Sequence, residues 1–509
     1  MKNIFKHKFL GLLFISLFFA QSCGKEYLDV GTRGTDLEND FYQTPDQMFE
    51  ALVACYDVLG WQGTADSWSM KMGLLVAASD EAFAGGSDAG DQPNWVAWDN
   101  FTLNPEQGPQ DGLWQKSSTG IYRANLFLQK LAENTTVTPE FRARSEAEVR
   151  FIRAYFYFDW VRLFGNVPLI TEVLSQDNLY DQVQASPAEI YAQIETDLRA
   201  AKATPELPAT VSGNELGRIT KGAVTALLGK VILYQNDESR MGEAAALFEE
   251  VIDDPQYELE ENFGDIFKTG NEFGKESIFE IVHSSNRAGG WGDFANGTEG
   301  NYSTQFFGFR DYAGPDFAFG YGFCPVTEKL VEVLDGDPRF EHTIIDGNQL
   351  MSQGASFTPS FQSTGYRIRK YAGLTEDRAL NGEAPINWGN NEREIRLADV
   401  LLMAAEAHAR AGNAPNARGF LNRVRTRVAL QPISGLDGQA LLDVIYLERQ
   451  KELATEGHRF FDLVRTGRAA AELGDQGFTA NKNELLPIPQ FEVDIVASGG
   501  GEFRQNPGY

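Results

Sequence analysis

The sequence predicts a mostly α-helical protein in which a scaffold of paired helices carries an irregular, loop-rich region. Two observations predict this class. Four stretches have the spacing of helix–turn–helix repeats, with apolar residues recurring every three or four positions. Two other stretches are rich in Gly, Asn, Asp and aromatic residues and have little helical periodicity. Since no Pro- or Ser-rich linker divides the chain, we expect a single body despite its 509 residues.

The N-terminus has the pattern of a lipoprotein signal peptide. Lys2, Lys6 and Lys8 precede an apolar run, Phe9–Ala20, which is too short to span a bilayer as a helix. Cys23 follows shortly after this run. We therefore expect residues 1–22 to be removed and Cys23 to be acylated, which leaves a single body, 23–509, tethered at its N-terminus. The alternative is an ordinary secreted protein that is cleaved nearby, with Cys23 as a free thiol.

The charge of the chain excludes one class of partner. The formal net charge of -28 becomes -31 once a signal with three lysines and no acid is removed. Such a surface repels nucleic acids and anionic lipid headgroups, so we expect no nucleic-acid partner. Cys55 and Cys324 are the other cysteines, and the sequence leaves open whether they form a disulfide. Without a Cys/His cluster, neither a metal site nor another cofactor is expected.

The helix pairs are predicted from apolar periodicity and from the Gly, Asn and Pro residues between the helices. Stacked pairs of tetratricopeptide type bury a continuous core without a central sheet. The predicted pairs are Glu146–Phe164 with Pro187–Ala203, Thr220–Gln235 with Gly242–Asp253, Arg396–Ala411 with Pro415–Arg427, and Gly438–Glu456 with His458–Ala471.

The most heavily charged stretch is Leu447–Arg468, in which nine charged residues alternate with apolar ones. Glu448, Glu452 and Glu456 are four residues apart and share one face of a helix. Carboxylates and guanidiniums this dense among apolar residues favour a half-buried ion network over a catalytic centre.

The irregular regions are Asp80–Gln110 and Asp254–Arg393, and they are the places where a binding site is expected. An enzymatic site is not expected there. Asp80 and Glu81 are adjacent and point apart on a helix or strand, which makes a poor acid–base pair for glycoside hydrolysis. The sequence has no nucleophile elbow and no phosphate-binding loop, so we predict no catalytic residues and no enzyme activity.

Motifs along nearly the whole chain resemble those of the SusD/RagB family, the surface glycan-binding lipoproteins of Bacteroidetes. The most specific is LERQKELATEGHRFFDLVRTGR at Leu447–Arg468, and the others follow in the family's order. They are Glu50–Gly60, Ser79–Gly86, Glu146–Ile170, Gly217–Tyr234, Glu394–Arg427, Glu484–Val493 and Gln505–Tyr509.

This resemblance implies a SusD-like fold with an N-terminal region at about 23–235 and a C-terminal region at about 255–509. It also implies a lipid-anchored protein of the outer membrane that faces the cell exterior. Such a protein captures an oligosaccharide or polysaccharide and delivers it to a TonB-dependent, SusC-like transporter. The alternatives are a peptide-binding, RagB-like subunit and a surface glycoside hydrolase.

In SusD-like proteins the two irregular regions form the glycan site, where aromatic rings stack on sugars and polar groups bind hydroxyls. The loops offer few bases, so we expect a neutral polysaccharide, for example a β-glucan such as laminarin. The candidate residues are Trp95, Trp98, Asp91 and Asn94 in the first region and Trp291, Tyr302, Phe307 and Arg310 in the second, with Trp291 and then Trp95 preferred as exposed rings.

Overall fold

The computed structural model describes residues 41–63, 68–175, 178–286, 289–291 and 299–509. The predicted signal peptide and Cys23 lie outside the described residues. The predicted mostly α-helical class is confirmed. The helices are α1 Pro45–Asp57, α2 Lys71–Ala77, α3 Pro93–Asp99, α4 Gln110–Glu133, α5 Pro139–Phe164, α6 Pro187–Ala203, α7 Lys221–Tyr234, α8 Met241–Ile252, α9 Tyr302–Phe307, α10 Glu328–Leu334, α11 Phe340–Thr343, α12 Gly347–Ser352, α13 Leu397–Arg410, α14 Ala414–Arg427, α15 Gly438–Leu453, α16 Arg459–Arg465, α17 Ala469–Leu473 and α18 Gln490–Ser498.

The long helices pack in series, each against its neighbours. Helix α5 packs between α4 and α6, α7 follows α6, and α8 lies between α7 and α13. Helix α13 then contacts both α14 and α15. The first three predicted pairs are therefore contacting helices. The fourth differs, because α15 packs on α13 and α14 whereas α16 packs on α2 and α17. That these pairs are of tetratricopeptide type stays a prediction.

Helix α6 shows why these stretches are helical. The Ser186 hydroxyl accepts from the Glu189 amide, and the Glu189 carboxylate accepts from the Ser186 amide, which makes a capping box at the helix start. Ile190, Ile194 and Leu198 recur every four residues and are fully buried against the neighbouring helices. Local capping thus sets where the helix begins, and the apolar stripe sets which face it buries.

The strands of the described chain form short antiparallel pairs, most of them in the second irregular region, rather than a central sheet. The pairs in the described chain are β1 Val167–Pro168 with β2 Gln184–Ala185, β3 Ser277–Ile281 with β8 Glu392–Arg396, β4 Arg310–Ala313 with β6 Ser356–Thr358, and β5 Ile344–Asp346 with β7 Tyr366–Ile368. The β3–β8 pair brings the irregular region directly to the start of α13, since β8 runs into that helix.

The predicted ion network is confirmed, and it is more deeply buried than expected. Arg396 pairs with Glu452 at 2.6 Å, with Glu456 at 2.8 Å and with Glu276 at 2.8 Å. Burial alone raises the pKa of Glu452, but the guanidiniums of Arg427 and Arg396 hold it well below its usual range. Removing one partner would leave an uncompensated buried charge, so the network fixes α15 against β8.

Cys55 and Cys324 are both buried free thiols, which answers the open question of a disulfide between them. The Cys55 thiol donates to the Ala51 carbonyl and the Cys324 thiol to the Gly73 carbonyl, both at 3.5 Å. Burial raises the pKa of the Cys55 thiol to about 12. Both cysteines therefore serve as core residues. Among the described residues, no helix is both long enough and apolar enough to cross a membrane.

Candidate functional site

An aromatic cluster lies where the two irregular regions meet. At its centre the Tyr302 ring stacks on Trp68, with centroids 4.7 Å apart and an interplanar angle of 21°. Trp291 stands edge-on to both, 6.3 Å from Trp68 and 5.8 Å from Tyr302. We refer to Trp68, Trp95, Trp291, Tyr302, Phe306, Tyr321 and Phe323 as the aromatic cluster.

The outer side of the aromatic cluster is accessible. Trp291 is 42% exposed, and Trp68 and Tyr321 are half-buried. Tyr302 is buried beneath them, and its hydroxyl interacts with that of Tyr321. Burial, followed by the neighbouring Tyr321 and Asp91, raises the pKa of Tyr302 well above its usual value, so its hydroxyl stays protonated. The surface therefore combines aromatic rings with neutral hydroxyls.

The inner layer of the aromatic cluster supports this surface from below. Phe306 lies one helical turn after Tyr302 in α9 and stacks on Phe323 at 4.3 Å. Trp95 packs against Phe306 at 5.2 Å, and its indole N–H donates to the Trp68 carbonyl at 3.0 Å. This hydrogen bond positions the backbone of Trp68 and so helps to hold the outer ring in place.

Gln62 joins the elements that carry the outer rings. Its side-chain amide donates to Asn301 and to Glu392, both at 2.8 Å, and its carbonyl oxygen accepts from the backbone amide of Tyr302. Gln62 is itself buried. One side chain thus ties the segment that precedes Trp68 to the start of α9 and to β8, which preorganises the cluster.

The loop before α3 forms a polar edge beside the cluster. Asp91 in this loop and Asn94 in the first turn of α3 are half-buried, and the Asp91 carboxylate accepts from the Ser87 amide at 2.8 Å. Gly86 has a φ of +94°, and a Cβ there would lie 2.9 Å from the Phe323 ring and 3.1 Å from the Asp91 carboxylate. Only glycine permits this close approach, which brings the acidic loop against the aromatic cluster.

The structure places the other predicted residues at different depths. The expectation that Trp95 and Trp98 present exposed rings is wrong, because Trp95 is 1% exposed and the buried Trp98 indole donates to the Leu74 carbonyl at 2.5 Å. Phe307 and Tyr302 are also buried. Arg310 is half-buried in β4, and its stem packs across Gly322, next to Tyr321 in the chain.

The sequence analysis does not single out Trp68, Tyr321 or Gln62. A signal for Trp68 exists, since it stands in the polar stretch Thr64–Ser69 without the apolar periodicity of a core helix. Tyr321 lies between glycines in GYGF, which resembles the surroundings of Trp291. For Gln62 the sequence holds no signal, because its role depends on partners more than 200 residues away.

A mostly helical scaffold thus carries the aromatic cluster on α3, α9 and the neighbouring loops. The SusD family profile matches residues 275–509, and a profile described as starch-binding associating with outer membrane matches residues 66–233. The chain belongs to the SusD/RagB family.

Similar proteins match over most of their length. A laminarin-binding SusD-like protein of known structure is 38% identical with a TM-score of 0.85, covering 92% of this chain and all of that one. Surface glycan-binding protein A from Bacteroides thetaiotaomicron, solved in complex with laminarihexaose, is 30% identical with a TM-score of 0.83, covering 91% of this chain and all of that one. SusD-like protein P25 of Formosa agariphila is 25% identical, covering 95% of this chain and 96% of that protein.

Proposed function

We propose that this protein is a non-catalytic, cell-surface glycan-binding protein, and that the aromatic cluster is its binding platform. The observation that carries the proposal is the exposed ring of Trp291, set edge-on to the stacked pair of Trp68 and Tyr302. A sugar presents an apolar C–H face to such a ring, while its hydroxyls require polar partners. Asp91, Asn94 and Arg310 are the candidates for those polar contacts.

The proposed ligand class is a neutral β-glucan such as laminarin. Two similar proteins support it, since one is named for laminarin binding and the other was solved with laminarihexaose. The hydroxyl groups of Tyr302 and Tyr321 are neutral because their pKa values are raised. Among the candidate binding residues, Arg310 is the cation. A polyanionic glycan would require several more Arg or Lys side chains.

Asp80 and Glu81 do not have the arrangement of a hydrolytic pair, which supports the non-catalytic part of the proposal. Both are buried, and both Asp80 carboxylate oxygens accept from Arg459, at 2.7 and 2.8 Å. Glu81 accepts from the Thr455 amide at 3.0 Å. Both side chains are thus held in the core, whereas a hydrolytic pair faces a glycosidic bond from two sides.

Two further parts of the proposal come from family membership. We propose that acylated Cys23 anchors the chain in the outer membrane, and that the chain delivers its ligand to a TonB-dependent, SusC-like transporter. The profile described as associating with the outer membrane supports the location. Metabolic labelling with a fatty acid, lost in Cys23→Ser, would test the anchor, and co-purification with a barrel protein would test the partner.

Affinity electrophoresis of the mature chain in gels that contain neutral or acidic polysaccharides tests the binding platform. We expect laminarin to retard the wild type. Trp291→Ala removes the most exposed ring of the cluster and should weaken binding by about 30-fold or more, as expected for an aromatic anchor worth at least about 2 kcal/mol. Phe491→Ala is the matched control, since Phe491 is exposed on α18 and lies outside the cluster.

The outcomes separate the alternatives. Unchanged retardation of Trp291→Ala would contradict the platform. Retardation by an acidic glycan alone would contradict the ligand class, and retardation by no glycan would favour the peptide-binding alternative. A glycan whose chains shorten during long incubation with the pure protein would show a hydrolase instead.

A further inference from the structure

A second concave surface lies between α4, α18 and residues 170–174 and 179–182. It encloses about 450 Å³, within the range of small-ligand sites, and shares no lining residue with the aromatic cluster. Its lining includes Tyr122 on α4, Tyr180 on the loop before β2, and Glu492 and Val496 on α18. We refer to this surface as the Tyr122–Tyr180 groove.

The Tyr122 and Tyr180 side chains in the groove are both exposed to solvent. Tyr122 is 50% exposed and Tyr180 is 41% exposed. In the part of the chain that the structure describes, neither ring packs against another aromatic ring, and neither hydroxyl has a hydrogen-bond partner. A Cβ at Gly499 would lie 2.2 Å from the Tyr180 side chain, and one at Gly501 would lie 2.7 Å from the Tyr180 carbonyl oxygen, so these glycines allow Tyr180 to pack closely against the end of α18. The rings are therefore held in place without being covered.

The floor of the groove holds a buried donor without an acceptor. Trp160 is 1% exposed, and among the described residues its indole N–H has no hydrogen-bond partner. Its ring packs edge-on against Trp114, which also lines the groove, with centroids 4.7 Å apart. A buried N–H that lacks an acceptor is costly, so a ligand that carries hydroxyl oxygens at this depth would gain from meeting it.

The mixture of groups identifies the class of ligand. An aliphatic side chain from a partner would cover the rings but would leave the indole N–H, the two tyrosine hydroxyls and Glu492 unpaired. Glu492 is half-buried, and burial, followed by the charge of Asp111, raises the pKa of its carboxyl group. A saccharide has apolar C–H faces with hydroxyl groups at their edges. It therefore matches both the aromatic rings and the polar groups of the groove.

We propose that the Tyr122–Tyr180 groove is a second saccharide-binding site, for a short stretch of the same class of glycan that the aromatic cluster binds. This inference rests on the proposed function of the aromatic cluster. Two sites on one body would bind a long polysaccharide more tightly than either site alone. Once the first site is occupied, the second site meets the same chain at a high effective concentration. An oligosaccharide too short to bridge the sites would occupy them separately.

Calorimetric titration of the mature chain with laminarihexaose, taken to millimolar ligand, tests the site. We expect two binding sites per wild-type chain, and one each for Tyr122→Ala, Tyr180→Ala and Trp291→Ala. Phe491→Ala should keep two sites, since Phe491 is exposed on α18 but does not line the groove. In laminarin gels, Tyr122→Ala should lose about tenfold in affinity, as expected when a second contact is removed.

The stoichiometry separates failure of this site from failure of the proposed function. One site in the wild type, lost in Trp291→Ala and kept in Tyr122→Ala, would overturn the second site alone. No binding to the wild type would overturn the β-glucan assignment of both sites. Thermal unfolding of each variant shows whether the body is intact, and Tyr180→Ala, on a loop, serves if the α4 variant is not folded.

Discussion

At the scale of single residues, Glu81 combines full burial with an incomplete set of partners. One carboxylate oxygen accepts from the Thr455 amide, while the other has no partner among the described residues. Burial, followed by the neighbouring charge of Asp80, raises the pKa of Glu81 to about 8. The folded protein therefore holds a proton on Glu81 over a pH range in which the unfolded chain has released it.

Glu81→Gln should consequently change how stability depends on pH. Between pH 4.5 and pH 8 the folded wild type binds one more proton at this position than the unfolded chain, so its free energy of unfolding falls as the pH rises. Glutamine does not titrate and can still accept from Thr455. In urea unfolding, the free energy of unfolding of the variant relative to that of the wild type should rise by several kcal/mol from pH 4.5 to pH 8. A constant difference between the two would contradict the raised pKa.

Single aromatic residues also show where sequence analysis reaches its limit. Trp291, flanked by glycines, is predicted to be exposed, and the structure agrees. Trp95 follows polar residues in the sequence and is also predicted to be exposed. It is buried instead, because Phe306 and Phe323, more than 200 residues later, pack against it. Exposure that depends on nearby glycines can be predicted from the sequence. Burial by distant partners cannot, and the same limit explains why Gln62 is not predicted.

At the scale of elements, two helical glycines differ only in what surrounds them. A Cβ at Gly120 in α4 would lie 2.2 Å from the Phe156 ring in α5, whereas a Cβ at Gly419 in α14 would meet nothing within 4 Å. Gly120 thus sets how closely α4 and α5 pack. Gly419 is exposed and leaves a weak point on the outer face of α14.

The same substitution should therefore have opposite effects at the two positions. Gly120→Ala should destabilise the protein by about 1–3 kcal/mol, because overpacking outweighs the gain in helix propensity. Gly419→Ala should stabilise it by up to about 1 kcal/mol, because only the propensity changes. Chemical unfolding of both variants measures the two signs, and equal shifts would show that α4 and α5 can separate at little cost.

The helices are the part of the fold that local sequence predicts best. Helix α6 is predicted and observed at Pro187–Ala203, since its capping box and apolar stripe are both local. Helix α5 ends as predicted but begins at Pro139 rather than Glu146, because Thr138 caps two polar turns that carry no apolar stripe. The predicted pairing of α15 with α16 differs from the observed main contacts of both helices, because the choice of partner depends on the whole array.

At the scale of the whole molecule, ion pairs and hydrogen bonds join the part matched at 66–233 to the part matched at 275–509. Both Asp80 oxygens accept from Arg459, and Lys71 pairs with Glu394 at 3.1 Å. These groups are largely buried, so separating the two parts would leave uncompensated charges in the core. The sequence predicts a single body from the absence of a linker, and these buried contacts support that prediction.

The two parts should therefore unfold as one unit. In thermal or urea unfolding, loss of helix by circular dichroism and exposure of tryptophan by fluorescence should coincide in a single transition. Arg459→Met leaves Asp80 with the more exposed Lys329 as its remaining cation, so the free energy of unfolding should fall by about 3–5 kcal/mol. That single transition should persist in the variant, because the pair of Lys71 and Glu394 still joins the parts. Two separate transitions in the wild type would show instead that each matched part has a core that is stable alone, and that the buried pairs between them only align two domains.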